Sequence, residues 1–204
     1  MWHSRAPIAD YNATRSRFFS EYGFQSFPEY ASVLRFAPEE RDWDIESEVM
    51  MAHQRGGDFA NMRIRQYLED EYWPARDFRT FLYMSHVLQG DAIKTAIEAH
   101  RRDKPYCWGS LFWQHNDCWP VASWASRDWY GRWKAQHYFA RPAFDDILVS
   151  PLAEGNTLNV RLVSDRRKTV RGKLRITVMD MDGALLSENT RSLTVAPNAS
   201  RNVY

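Results

Sequence analysis

The spacing of hydrophobic positions changes near Pro142. Before this proline, apolar residues recur at helical spacing between short aromatic-rich runs. After it, apolar and polar residues alternate, which predicts strands near 145–151, 157–163, 170–180 and 185–195. We therefore predict a domain boundary here, with residues 1–142 in one domain and residues 143–204 in another.

Two aromatic-rich runs, residues 17–25 and 106–114, predict strands in the first part. The first run does not alternate cleanly, which suits a strand buried on both faces. Two longer helices are predicted between the runs. Asp58 and Asp77 are their expected N-caps, because an aspartate accepts from the free N–H groups of a helix's first turn. Shorter helices are predicted near 29–36 and over 132–141, the latter ended by Pro142.

This order of elements predicts an α/β protein. A partial TIM (β/α)8 barrel comes first, represented by its last strands and helices, and an incomplete all-β immunoglobulin-like sandwich follows. A complete barrel usually takes about 250 residues and such a sandwich about 100. The 204 residues are too few for both. We therefore expect a piece of a longer protein, truncated at both ends.

Composition narrows the class of protein. The chain has 27 basic and 26 acidic residues, which argues against a nucleic-acid or anionic-membrane partner. No apolar run approaches the roughly 20 residues needed to cross a bilayer, so we expect a soluble protein with no targeting signal. Cys107 and Cys118 flank an extended run that would hold them ~36 Å apart, too far for a disulfide. Unpaired thiols weakly favour a reducing, cytoplasmic location.

Glu21 is the first candidate for chemistry. It lies within the aromatic run at 17–25, where burying an unpaired carboxylate would cost several kcal/mol. One interpretation is that it only pairs with Arg15 or Arg17. The other is a functional carboxylate, because Glu21 is near the strand's C-terminal end, where barrel active sites are built. The residues alone leave both open.

The second candidate region follows the strand at 106–114, where polar residues gather between tryptophans. A metal site from His115, Asp117 and Cys118 is disfavoured, because no further ligand pair of metal-binding spacing occurs. A Cys118 nucleophile assisted by His115 is also disfavoured, since residues so close on an extended chain point apart. Nine tryptophans, five of them between positions 108 and 129, suit either a packed core or a sugar-binding platform.

Three segments carry a more specific pattern. They are residues 17–28, which include Ser20-Glu21-Tyr22-Gly23, residues 109–120, and residues 124–135. These segments resemble the seventh strand, the eighth strand and the barrel exit of the β-mannosidases of glycoside hydrolase family 2. Residues 50–55 and 98–102 extend the resemblance over nearly all of residues 1–150. Two departures stand out: His115 replaces a usual aliphatic residue, and Asp128-Trp129 stands where a tyrosine commonly follows the acid.

The resemblance implies a retaining exo-β-mannosidase that removes terminal non-reducing β-D-mannose from β-mannosides or manno-oligosaccharides. Glu21 would be the catalytic nucleophile, with Trp113, Asn116 and Trp119 binding substrate. No cofactor and no metal are implied. A related exo-β-glucosaminidase or other β-glycosidase is the alternative enzyme. A non-catalytic carbohydrate-binding module and a protein-interaction scaffold are alternatives of other classes.

The resemblance also implies a missing part. The family's acid/base is the glutamate of an Asn-Glu pair on the fourth strand, and no such pair precedes Glu21. We therefore expect the isolated chain to be inactive, with the upstream barrel strands as its missing partner. Open sheet edges would favour self-association.

Overall fold

The computed structural model describes residues 2–204. Their contacts divide the chain into two compact units. The first comprises residues 2–100 and 107–144, and the second comprises residues 101–106 and 145–204. None of the helices within residues 2–204 combines the length and the apolar character that a membrane crossing requires.

The first unit contains a pair of parallel strands, β1 (Phe19–Tyr22) and β2 (Ser110–Phe112). Phe19 lies opposite Ser110, and Tyr22 lies opposite Phe112. The amide of Trp113 donates to the carbonyl of Tyr22 at 2.7 Å, which continues the pairing beyond β2. Parallel neighbours need a long crossover connection, and helices supply it here. Both strands are shorter than predicted.

The prediction that β1 is buried on both faces was wrong. Ser20 and Glu21 are exposed, whereas Tyr22 is buried. Within residues 2–204, β2 is the one strand that pairs with β1, so no strand lies along the opposite edge of β1. Glu21 is therefore not a buried carboxylate.

The first unit's helices lie mainly between the two strands. They are α1 (Tyr30–Val33), α2 (Glu48–Ala52), α3 (Ala60–Glu71), α4 (Phe78–Arg102) and α5 (Ala135–Ala143). Short 3-10 helices occur at Trp2–Ser4, Ile8–Asn12 and Glu40–Asp42. The last two residues of α4, Arg101 and Arg102, belong to the second unit.

The helix termini test the predicted stop and start signals. Asp77 caps α4 as predicted, because its Oδ1 accepts the amide of Thr80 at 2.6 Å. The prediction that Asp58 caps α3 was wrong, because no side chain caps this helix. Gly57 adopts φ +83°, its carbonyl accepts the amide of Ala60 at 3.0 Å, and the helix begins one residue after Phe59.

Pro142 does not end α5 as predicted but lies within its last turn. A proline near a helix end removes one amide donor while its fixed φ still suits the helix. The amide of Phe144 bonds to the carbonyl of Ala140 at 3.0 Å, so the turn closes after the proline.

The core of the first unit is rich in aromatic side chains. Trp2 stacks on Tyr67 at 5.8 Å and meets Phe24 edge-on at 5.0 Å. Leu82, Ile93 and other apolar positions of α4 are fully buried at helical spacing. Trp2 is buried in this core and Trp43 and Trp124 pack against it, whereas five of the nine tryptophans are exposed.

The second unit is all-β except for its short N-terminal piece. Strands β3 (Ile147–Glu154), β4 (Thr157–Ser164) and β7 (Ala199–Asn202) form an antiparallel sheet in the order β3-β4-β7. Strands β5 (Val170–Met179) and β6 (Leu185–Val195) form a second sheet. Side chains from both sheets share one core, which includes Val160, Leu162, Leu174 and Val195. The four predicted strands are present, and β7 is an additional one.

Candidate active site

An open cavity of about 540 Å³ lies beside the C-terminal ends of β1 and β2. Six aromatic residues line it: Trp2, Tyr11, Phe19, Tyr22, Trp113 and Trp124. Its charged or titratable lining groups also include Glu21, His3 and Arg55. Within residues 2–204, Glu21 is the single carboxyl group that lines this cavity.

Glu21 and Tyr22 are neighbours on β1 and both line the cavity, but they differ in burial. Tyr22 points inward, and its hydroxyl lies 2.7 Å from the hydroxyl of Ser110. Burial raises the pKa of Tyr22 to about 12, although the hydrogen bond to Ser110 opposes the rise. Tyr22 is therefore a neutral phenol at pH 7. The neighbouring Glu21, on the other side of the strand, is exposed.

Gly23 permits the aromatic wall to approach β1 closely. A Cβ at Gly23 would lie 2.6 Å from the carbonyl oxygen of Trp113 and 2.7 Å from the Cδ1 atom of Trp124. No residue with a side chain fits there without displacing one of them. The missing side chain thus brings both tryptophans next to Glu21.

The segment that carries Trp113 pairs with the segment that carries Trp124. The amide of Gln114 donates to the carbonyl of Trp124 at 3.1 Å, and the amide of Ser126 donates to the carbonyl of Gln114 at 3.0 Å. The peptide bond between Trp113 and Gln114 is cis. The two indole-bearing segments therefore form one unit of backbone structure.

Lys134 connects the chain after β1 to the segment that carries Trp124. It is fully buried, and its Nζ donates to the carbonyls of Ser26 at 3.0 Å and Ser123 at 3.1 Å. Burial lowers the pKa of Lys134 to about 8, while the charges of Asp117 and Asp128 oppose the shift. Sequence analysis missed this role, because a lysine is ordinarily expected at the surface.

Asp117 belongs to the same buried polar group. Its Oδ1 accepts the hydroxyl of Ser123 at 2.6 Å. Burial raises the pKa of the Asp117 carboxyl, and the charge of Lys134 is the largest effect that opposes the rise. A buried carboxylate and a buried ammonium here stabilise each other, so Asp117 is a structural group and not a cavity acid.

Comparison with known proteins identifies the family. Residues 156–204 match the family model described as Mannosidase Ig/CBM-like domain. A β-mannosidase of Rattus norvegicus is 32% identical over 174 residues, which are 79% of this chain and 20% of that protein. A β-mannosidase B of Aspergillus niger is 26% identical over 100% of this chain and 26% of its own length.

The fold agrees with this similarity. The crystal structure of a β-D-mannosidase from Dictyoglomus thermophilum superposes with a TM-score of 0.90 at 29% identity, over 100% of this chain and 25% of that one. This chain is a relative of the β-mannosidases of glycoside hydrolase family 2. An exo-chitosanase from Amycolatopsis orientalis, with a TM-score of 0.77 and 16% identity, shares the fold. The chain spans about a fifth to a quarter of the length of these relatives.

The structure brings together two of the four site residues that the β-mannosidase resemblance implies. Glu21 and Trp113 line the same cavity. Asn116 is exposed outside that lining, and its Nδ2 donates to the carbonyl of Asp117 at 3.1 Å. Trp119 also lies outside it and stacks on His53 with ring centroids 5.9 Å apart. The roles of all four residues stay predictions.

Arg55 is a lining residue that sequence analysis missed. Its Nη1 donates to the Sγ atom of Cys118 at 3.6 Å, and its amide donates to the carbonyl of Ala122 at 3.1 Å. The segment at 50–55 was part of the β-mannosidase resemblance, and that was the available signal. Cys107 and Cys118 are not joined by a disulfide, as predicted. The described residues contain no cluster of His, Cys, Asp or Glu suited to a metal ion.

Proposed function

We propose that the chain is part of a retaining exo-β-mannosidase that hydrolyses terminal non-reducing β-D-mannose residues, with Glu21 as its nucleophile. The observation that carries this proposal is the exposed carboxylate of Glu21 in a cavity walled by Trp113 and Trp124. An indole ring offers an apolar face for the C–H groups of a pyranose. A carboxylate beside such a face can reach the sugar's anomeric carbon.

The proposed reaction has two steps. A carboxylate oxygen of Glu21 forms a bond to the anomeric carbon, while the bond to the leaving oxygen breaks and that oxygen takes a proton from a second carboxylic acid. Water then attacks the anomeric carbon of the glycosyl ester, gives its proton to the second carboxylate, and frees Glu21. Net retention of configuration follows from the two displacements.

A retaining mechanism needs two carboxyl groups about 5 to 5.5 Å apart. Glu21 is the single carboxyl lining the cavity within residues 2–204. We therefore propose that the acid/base comes from upstream strands of a longer polypeptide and that residues 1–204 alone do not catalyse hydrolysis. The upstream strands are also the partner that would cover the open edge of β1.

The same proposal covers the domains. Residues 1–142 would be the C-terminal part of a β/α barrel, and residues 143–204 part of an immunoglobulin-like sandwich. The parallel pair of β1 and β2, with helices in the connection, supports the first assignment because consecutive barrel strands are parallel neighbours. The match of residues 156–204 to a mannosidase Ig/CBM-like domain supports the second.

Trapping the glycosyl ester tests the nucleophile. The complete polypeptide that contains this chain is treated with 2-deoxy-2-fluoro-β-D-mannosyl fluoride, digested and analysed by mass spectrometry. We expect an ester on Glu21, and turnover of an aryl β-mannoside by Glu21→Gln lowered at least about 1000-fold, the scale on which loss of a catalytic nucleophile acts. The Glu21→Gln variant should still bind mannose.

Glu48→Gln is the matched control, since Glu48 is an exposed acid of α2 outside the cavity. It should keep wild-type turnover. An ester on another side chain would contradict the assignment of Glu21, and hydrolysis by residues 1–204 alone would contradict the need for upstream strands.

An aryl β-glucosaminide in parallel assays decides between mannose and glucosamine specificity. Sugar binding with no turnover by the complete polypeptide would favour a carbohydrate-binding module.

A further inference from the structure

One face of the second unit carries a row of cations. Arg171, Lys173 and Arg175 occupy alternate positions of β5, so their side chains lie on the same face about 7 Å apart. All three are exposed. The opposite face of β5 carries Leu174 and Ile176, which pack in the core of this unit. The row of cations therefore points away from the core.

Hydroxyl groups flank these cations. The strand register sets Arg171 opposite Thr194, Lys173 opposite Ser192, and Arg175 opposite Thr190. Directly opposed residues of an antiparallel pair share a face. We call these six residues the cationic face.

The loop before β5 adds charge at one end of the cationic face. Arg166, Arg167 and Lys168 are exposed there, and together with Arg171 they line an open depression of about 660 Å³. The acid in this loop, Asp165, is already engaged by Arg101 and Lys104. The loop therefore contributes net positive charge.

Few of these cations are neutralised. Arg166 contacts Asp146 at 3.7 Å and Arg175 contacts Glu188 at 3.8 Å. In the part of the chain that the structure describes, no acid lies within 4.0 Å of the charged groups of the remaining four, which are Arg167, Lys168, Arg171 and Lys173. Exposed charges on strands also discourage edge-to-edge pairing, and that role requires no ligand. A binding measurement therefore distinguishes a ligand-binding role of these cations from a role in preventing strand pairing.

We infer that the cationic face binds a linear glycan that bears carboxylate groups, such as a uronate-containing polysaccharide. Arginine guanidinium groups match carboxylates in two-point hydrogen bonds, and serine and threonine hydroxyls match sugar hydroxyls. The cationic face contains no aromatic residue on which a nucleic-acid base could stack. A glycan therefore fits it better than a single-stranded nucleic acid. This inference does not depend on Glu21.

Affinity electrophoresis of the complete polypeptide tests it, with polygalacturonate as the acidic glycan and dextran as the neutral one. We expect retardation by polygalacturonate alone, weakened when salt rises from about 50 to about 200 mM because exposed charges are screened. Changing Arg171, Lys173 and Arg175 together to Gln should weaken binding at least about tenfold, the scale of three lost surface charge contacts. The melting temperature should not change, since all three side chains are exposed.

The matched control removes the same charge elsewhere. Arg41, Arg76 and Lys94 are exposed cations of the first unit, and changing them together to Gln should preserve binding. Glu21→Gln should also preserve it, so failure of the proposed nucleophile would leave this result intact. Unchanged binding by the β5 variant, equal retardation by dextran, or tighter binding of a single-stranded polynucleotide than of polygalacturonate would each overturn the inference.

Discussion

The side-chain nitrogen of Lys134 donates to the carbonyl oxygen of Ser26 across 3.0 Å, at a place where Lys134 has no exposed surface. Ser26 follows the strand that bears Glu21. The same nitrogen donates to the carbonyl of Ser123, next to Trp124. One buried ammonium therefore ties the chain after the proposed nucleophile to the segment that carries an aromatic wall of the cavity.

Replacing Lys134 by Met should destabilise the first unit by about 3 to 5 kcal/mol, because it removes one donor from each of two buried carbonyls and leaves the buried Asp117 without its compensating charge. Trp fluorescence during urea unfolding measures this effect specifically. All nine tryptophans lie within residues 2–133, in the first unit.

Lys94→Met is the matched control for this substitution. Lys94 is exposed on α4 and lies 3.9 Å from Glu98. Its loss should change the free energy of unfolding by less than about 1 kcal/mol, as for surface ion pairs generally. Equal effects of the two substitutions would mean that Lys134 contributes no more than a surface lysine.

Much of the fold could be predicted from local patterns. The change of period at Pro142 predicted strands that the structure contains at β3, β4, β5 and β6. Asp77 was a sound cap signal because capping depends on residues within one turn. The predicted Asp58 cap was wrong because Gly57, with its positive φ, forms the turn that begins α3. Short elements such as β7 have too few residues to show a period.

The candidate site could be predicted only in part. Glu21 and Trp113 were found because their segments resemble a known family, and the structure puts them in one cavity. The exposure of Glu21 was missed, since it depends on which strands cover β1, a long-range property. The burial of Lys134 was missed for the same reason: its partners Ser26 and Ser123 are 108 and 11 residues away.

Gly23→Ala should destabilise the first unit by about 1 to 3 kcal/mol, the usual cost of overpacking. The added methyl would meet the carbonyl oxygen of Trp113 and the ring of Trp124 at less than 3 Å. Gly172→Ala is the control, because nothing lies within 4 Å of a Cβ there and its φ is not positive. Calorimetric melting of both variants compares them. A Gly23→Ala protein as stable as wild type would show that the backbone at Trp113 and the ring of Trp124 both shift at little cost.

The stability of the first unit in acid depends on His86 of α4. His86 is buried, and its Nδ1 accepts the amide of Ala135 at 3.5 Å. Burial and then the positive charge of Lys134 lower the pKa of His86 to about 4, although hydrogen bonds to the backbone of Pro28 and Phe27 oppose the shift.

In the unfolded chain the pKa of a histidine is about 6.5. Between about pH 6.5 and 4 the unfolded state therefore binds more protons than the folded state, and acid favours unfolding. The stabilisation is complete above about pH 6.5 and is lost as the pH falls towards 4, by up to about 3 kcal/mol. His86→Gln should remove this part of the slope, whereas His3→Gln should not, because His3 is exposed. Urea unfolding followed by Trp fluorescence at pH 7, 6, 5 and 4.5 gives the slopes. Identical slopes for wild type and His86→Gln would mean that folding does not lower the pKa of His86.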